Sequence, residues 1–305
     1  MVSEKLAKKV IFLIFVISGC FLLSLSFIYA EELVSECEEC KVDYIPGVTK
    51  DMEALIVTDK NCSFCDSKIP RKLLKSKFPG ISFVVVDYKS KQAKKLIDQY
   101  EVKTLPCFFV DPLVKDEKIF DKVKFIFEDG KDGKLLLRKE LSGICVYLDR
   151  KEINKKVDLF LDFYEEATSE ILDDLINFSK EVKISLDIHF IISKDKKIGY
   201  PKEEVRVALA ISELYPNGAS NYIYRRIKDI ASSSWIDTVE KEGLDYKKIR
   251  DLMTSSLIYQ LVDKNQELVE DLMIRDGNVI LINNNKIFKV FNIDKEELKS
   301  FFKGE

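Results

Sequence analysis

The chain has 305 residues, of which 46% are apolar and 33% charged, with a formal net charge of −3. That length suits about two domains of ordinary size, and the composition excludes both a disordered chain and a multi-span membrane protein. A mildly acidic body gives no electrostatic reason to bind nucleic acid or an anionic membrane.

Lys5, Lys8 and Lys9 precede an uncharged run from Val10 to Tyr29, and Ala30 then meets Glu31-Glu32. A basic flank, an apolar stretch and a small residue before a polar start are the layout of an export signal. Three fates are open to residues 1–30. The run is long enough to stay in the membrane as an anchor, Ala30 offers a cleavage point, and Ile17-Ser18-Gly19-Cys20 resembles a lipoprotein box. Each leaves the basic flank inside and puts the body outside the cytoplasm, at the cell envelope, on the periplasmic side or secreted. Of seven cysteines, Cys20 lies in this segment. The other six sit in an exported body, where disulfides persist.

Residues 31–51 are charged and broken by Pro46-Gly47, a tether that carries Cys37-Glu38-Glu39-Cys40. Leu55-Ile56-Val57-Thr58 predicts a buried strand. After Asp59-Lys60-Asn61-Cys62 comes a helical pattern through Ile69, Leu73, Leu74 and Phe78, stopped by Pro79-Gly80. Ile81–Val86 lacks alternation and predicts a strand buried on both faces. Ala93, Leu96, Ile97 and Tyr100 mark a second helix, and Thr104-Leu105-Pro106 leads into a strand at Cys107–Val110. Val123–Phe127 and Leu135–Leu137 predict a hairpin around two Asp-Gly-type turns. That order implies a mixed sheet with helices packed on it over residues 52–150.

Residues 151–305 repeat the plan. Val157–Phe163 predicts a strand, Ile171–Val182 a helix and Ile184–Ile192 another strand. Residues 201–275 read as a helical insert, broken at Pro216-Asn217-Gly218 and Glu242-Gly243. Asn278–Ile282 and Lys286–Val290 predict a hairpin around Asn284-Asn285, whose residue type tolerates positive φ. Asp294 caps a last helix.

The chemistry centres on Cys62-Ser63-Phe64-Cys65, between a buried strand and a helix. A first sulfur at the opening turn of a helix meets exposed N–H groups and the positive end of the dipole, which favour its thiolate. A second sulfur one turn deeper can resolve a mixed disulfide, and Ser63 and Phe64 tune the pair. Cys37 and Cys40 are open to three readings: an auxiliary redox pair, a local disulfide or idle thiols, and, with the first pair, a zinc site. Cys107 and Cys145 either bridge neighbouring strands or are two buried free thiols. His189, the one histidine, lies within an apolar strand and reads as structural. Neither cofactor nor metal is expected.

Asp59–Cys65 followed by Thr104-Leu105-Pro106 before a strand resembles the thioredoxin superfamily, in the manner of periplasmic (Dsb-like) disulfide oxidoreductases and isomerases. The resemblance covers Glu53 to about Tyr147. It implies a cis proline at Pro106 beside the redox sulfurs, and an extended protein substrate pairing with Leu105 and Pro106. Leu55-Ile56-Val57 lacks the buried acid of many thioredoxins, and Asn61 stands where a tryptophan is common. Both departures fit the exported group. The second half resembles the same fold with a helical insertion, but Tyr164-Glu165-Glu166-Ala167-Thr168 has no cysteine and Asn278 or Val279 stands at the proline position. A degenerate second domain is therefore expected, used for substrate binding or homodimer formation.

The sequence thus predicts an α/β protein of two thioredoxin-like domains, an extracytoplasmic thiol–disulfide oxidoreductase acting on protein cysteines. Oxidase, reductase and isomerase differ by potential and by a membrane or periplasmic redox partner, neither written in the motif. The alternatives are a non-enzymatic envelope-bound binding or chaperone module and, third, a metal carrier.

Overall fold

Alternation along two central strands decides where everything else packs. In the computed structural model, β1 (Glu53–Thr58) runs parallel to β2 (Ser82–Asp87) and antiparallel to β4 (Cys107–Val110). Successive side chains of a strand point to opposite faces. Ala54, Ile56, Phe108 and Val110 accordingly pack with Leu74 and Phe78 on one face. Leu55, Val57, Cys107 and Phe109 pack with Ala93 and Leu105 on the other. Both faces are covered, which is why β1 reads as an unbroken apolar run.

The structure describes residues 52–62, 65, 67–165, 167–192, 201–290 and 293–302. The expected export segment 1–30, the tether with Cys37 and Cys40, and Ser63 and Phe64 lie outside them. Among the described residues no helix is long and apolar enough to cross a membrane.

Helix α1 (Lys68–Lys77) connects β1 to β2 and buries Pro70 and Leu74. Proline is tolerated there, in the first turn, where its missing N–H has no intrahelical partner. Helix α2 (Lys91–Tyr100), capped by the Ser90 hydroxyl accepting from the Ala93 N–H, covers the opposite face. Beyond β4 the chain forms a 3₁₀ turn (Pro112–Asp116), α3 (Phe120–Val123) and a second 3₁₀ turn (Lys124–Ile126) before the hairpin of β5 (Phe127–Asp129) and β6 (Leu135–Leu137). The strand expected from Val123 therefore begins only at Phe127. Val123 and Ile126 are buried while Phe125 is 68% exposed, a spacing of three that suits a helical turn and not a pleat. The first sheet has the order β2-β1-β4-β6-β5.

A second sheet has the order β3-β7-β11-β10-β8-β9, where β3 is Thr104–Leu105, β7 Val146–Tyr147, β8 Lys156–Leu161, β9 Ser185–Phe190, β10 Asn278–Ile282 and β11 Lys286–Val290. Here β8 and β9 are parallel, joined by α4 (Thr168–Val182), and β10 and β11 are antiparallel. The strand–helix–strand and the hairpin of the first plan thus recur, and a final helix α10 (Lys295–Ser300) follows. Asn283 and Asn284 carry the positive φ of the hairpin turn, one position earlier than the expected pair. Between β9 and β10 lie α5 (Pro201–Leu214), α6 (Ala219–Asp229), α7 (Trp235–Lys241), α8 (Tyr246–Met253) and α9 (Ser256–Asp271), broken at the two expected places and also at 230–234 and 254–255. A buried Arg226–Glu204 pair fastens α6 to α5 through two hydrogen bonds, of 2.7 and 2.5 Å.

The strands do not divide at residue 150. Although β3 and β7 come from the first half of the chain, they extend the second sheet, and all described residues belong to one compact unit.

Candidate active site

At the carboxyl end of β1 the chain turns sharply. Asp59 is 6% exposed, and its Oδ1 accepts from the Asn61 N–H at 3.0 Å while its carbonyl accepts from the Cys62 N–H at 3.2 Å. The Lys60 N–H reaches Asp87 Oδ2 at 3.2 Å, which ties this turn to the end of β2. The Cys65 N–H then donates to the Cys62 carbonyl at 3.2 Å. Both cysteines are half-buried, their Cα atoms 5.3 Å apart, a spacing that a disulfide spans.

Helix α1 begins only at Lys68, and the Ser67 hydroxyl makes no capping bond. This corrects the expectation that Cys62 opens a helix with Cys65 one turn in. The dipole's influence falls off within the first turn, so it acts weakly on a sulfur six residues ahead of the helix.

The Leu105–Pro106 peptide is cis, as the resemblance implied. It separates β3 from β4 and sends them into different sheets. The expected docking edge is already taken. Leu105 is fully buried, β3 pairs antiparallel with β7 in the register Leu105↔Val146, and the Leu105 carbonyl accepts from the Cys145 N–H at 2.7 Å. Leu105 is therefore not an open edge in this structure. A groove of 670 Å³ opens beside Pro106, lined by Tyr100, Lys103, Thr104, Tyr147 and Arg150 among others, and neither Cys62 nor Cys65 lines it.

Cys145 is the residue the sequence misplaced. The Cys107–Cys145 bridge, one of the two readings open for these residues, does not form; Cys107 lies on β4 in the first sheet and Cys145 leads into β7 in the second. Cys107 is a free, buried thiol whose pKa burial pushes up to about 12, with the Glu128 charge adding to the rise. Cys145 instead faces Cys62 and Cys65, its Cα 5.4 Å from that of Cys65. The Sγ atoms of Cys62, Cys65 and Cys145 all lie within 4.8 Å of one another, and the Cys65 sulfur is within bonding reach of both others. When reduced, three converging thiolates also suit a soft cation, though a structural zinc site takes four ligands. The only hint in the sequence is the Ser142-Gly143 turn before Cys145-Val146-Tyr147, and nothing in it names a partner.

The equivalent place in the second half holds no sulfur. The Thr168 hydroxyl, at the start of α4, accepts from Asn278 Nδ2 at 2.9 Å, and both residues are buried. Oxygen and amide groups there are hydrogen-bonded to each other, an arrangement with no redox chemistry. His189 stacks on Phe160 at 4.7 Å and meets Asp158 Oδ1 at 2.9 Å. Burial would raise the Asp158 pKa, but hydrogen bonds from His189 and Lys156, and their charges, hold it below the usual carboxylate value.

No family profile matches the chain, and no curated protein does. Solved structures similar to it are disulfide oxidoreductases of the DsbA type. The thiol–disulfide exchange protein alpha-DsbA2 from Wolbachia pipientis is 17% identical, matching 51% of this chain and 86% of its own with a TM-score of 0.41. DsbA from Pseudomonas aeruginosa is 14% identical over 48% of this chain and 79% of its own, with a TM-score of 0.38. A Proteus mirabilis DsbA variant with a non-covalently bound peptide is 20% identical over 48% and 84%, also at 0.38.

Proposed function

We propose that this protein is an extracytoplasmic thiol–disulfide oxidoreductase acting on protein cysteines, with Cys62 as the attacking sulfur and Cys65 as the resolving one. The observation that carries the reading is the pairing of two half-buried cysteines, at disulfide spacing, in the turn that leaves β1. The Cys62 thiolate attacks a substrate disulfide and the distal substrate sulfur leaves as thiolate. Cys65 then attacks the mixed disulfide, releasing the second substrate thiol and closing Cys62–Cys65; oxidation of a substrate runs the same steps backward.

A substrate strand reaches Leu105 only in exchange for the Cys145–Tyr147 segment, which pairs with it. The basic flank and apolar run before Glu31 support export. A membrane-side or periplasmic redox partner would set the direction of transfer. The second half, with Thr168 and Asn278 where a redox centre would stand, serves substrate binding or self-association.

The test is dithiothreitol-driven reduction of insulin by the full chain and by Cys62→Ser. The wild type is expected to accelerate insulin precipitation and the variant to lose that acceleration. A wild type without activity, or a variant that keeps all of it, would turn the reading toward a binding module that kept the fold.

A further inference from the structure

The sulfur assigned to resolution has two cysteine neighbours. Cys62 and Cys145 stand at nearly equal Cα distances from Cys65, 5.3 and 5.4 Å, both inside the range a disulfide requires. A sulfur forms one disulfide at a time, so the same centre can hold either bond.

Cys145 is not a stray thiol in a loop. Its N–H donates to the Leu105 carbonyl at 2.7 Å and its carbonyl accepts from the Ile287 N–H at 2.9 Å. Those bonds fasten it between β3 and β11, and the next residue along, Val146, begins β7. It is 3% exposed and packs in the same apolar cluster as Cys62 and Cys65. Solvent reagents reach it poorly, whereas the redox pair is in contact with it.

We propose that Cys145 is a third redox thiol of this centre, taking Cys65 over from Cys62 by internal exchange. The proposal rests on the reading of Cys62–Cys65 as the redox pair. The Cys145 thiol gives up its proton, and its sulfur attacks Cys65 Sγ in the Cys62–Cys65 disulfide. The Cys65–Cys145 bond forms, the Cys62–Cys65 bond breaks, and the electron pair leaves on Cys62, which takes up a proton. No external oxidant or reductant is consumed. The oxidised protein then still presents Cys62 as a free thiol, able to open a second protein disulfide while the internal bond is held between Cys65 and Cys145. Reversal returns the ordinary pair.

The experiment maps disulfides in the full chain. Wild type, Cys62→Ser and Cys145→Ser are oxidised with oxidised glutathione, quenched in acid and alkylated with N-ethylmaleimide. Their non-reduced peptides are then read by mass spectrometry. The wild type is expected to yield both linkages, with Cys62 alkylated in the fraction that carries Cys65–Cys145. Cys62→Ser is expected to yield Cys65–Cys145 and to lose Cys145 alkylation on unfolding. Cys145→Ser is expected to yield only Cys62–Cys65 and to lose the alkylated Cys62. A wild type that carries Cys62–Cys65 and reduces insulin, yet keeps Cys145 free in every fraction, overturns the relay and leaves the oxidoreductase reading standing. A wild type with neither linkage and no insulin reduction overturns both. The wild-type map needs no variant, so a folding defect in either substitution does not decide the outcome.

Discussion

Closing a disulfide across a long loop restricts the unfolded chain more than closing a short one, and the two bonds open to Cys65 differ greatly in that respect. The Cys65–Cys145 bond has a sequence separation of 80 and the Cys62–Cys65 bond one of 3. On the chain-entropy relation the first stabilises by about 4.5 kcal/mol and the second by about 2 kcal/mol. Cys62→Ser leaves only the long bond available to Cys65, and Cys145→Ser only the short one. Oxidation should therefore raise the stability of the first variant by about 2.5 kcal/mol more than that of the second. At a urea m-value of about 3 kcal/mol/M that difference moves the midpoint by roughly 0.8 M. The assay is urea unfolding of each variant, oxidised and then reduced with a phosphine, comparing the two gains. Any bond between Cys37 and Cys40 is common to both variants and cancels. Equal gains, or a larger gain in Cys145→Ser, would refute the geometry assigned to Cys145.

Other expectations follow from buried groups away from the Cys62–Cys65 turn. Arg226→Met should destabilise by about 3–5 kcal/mol, because Glu204 is left charged and buried; Glu204→Leu added to it should recover most of that loss in a denaturant titration. Cys107 should resist N-ethylmaleimide in the folded protein at neutral pH and react once unfolded, as its raised pKa and burial require, which mass spectrometry of the labelled peptide reads directly. The Asp158 pKa is lowered by folding, so its contribution is present above the unfolded value of about 4 and fades as pH falls through the folded one. The stability gap between wild type and Asp158→Asn should thus narrow on acidification below about pH 4, measured by urea midpoints at successive pH values. A constant gap would mean that His189 and Lys156 do not favour the ionised carboxylate. Asn278→Val should cost stability, since the buried Thr168 hydroxyl loses the amide that donates to it, yet leave insulin reduction unchanged.

Local signals were enough for most of the elements. The apolar run at Leu55–Thr58, the helical spacing through Leu74 and Phe78, and the repeat of the plan after residue 151 all appear in the structure where periodicity put them. Pro106 is cis between two strands, as the family resemblance, and not any local pattern, implied. Periodicity failed at Val123–Ile126, where a short apolar stretch fits a strand and a helical turn equally well until the burial of each residue is known.

What residues 62–65 are, and what chemistry two sulfurs at that spacing can perform, is fixed by adjacent positions along the chain, so the sequence alone carries it. Which third sulfur stands beside them is a different kind of fact. Cys145 reaches Cys65 because β7 hydrogen-bonds to β3 on one side and β11 on the other, joining segments far apart in the chain. Hydrophobic spacing reports the pleat or turn a residue lies in, while sheet order depends on how whole strands share their edges. Only the folded backbone therefore decided that Leu105 is covered, that Cys107 is a free buried thiol, and that Cys145 stands beside Cys62 and Cys65.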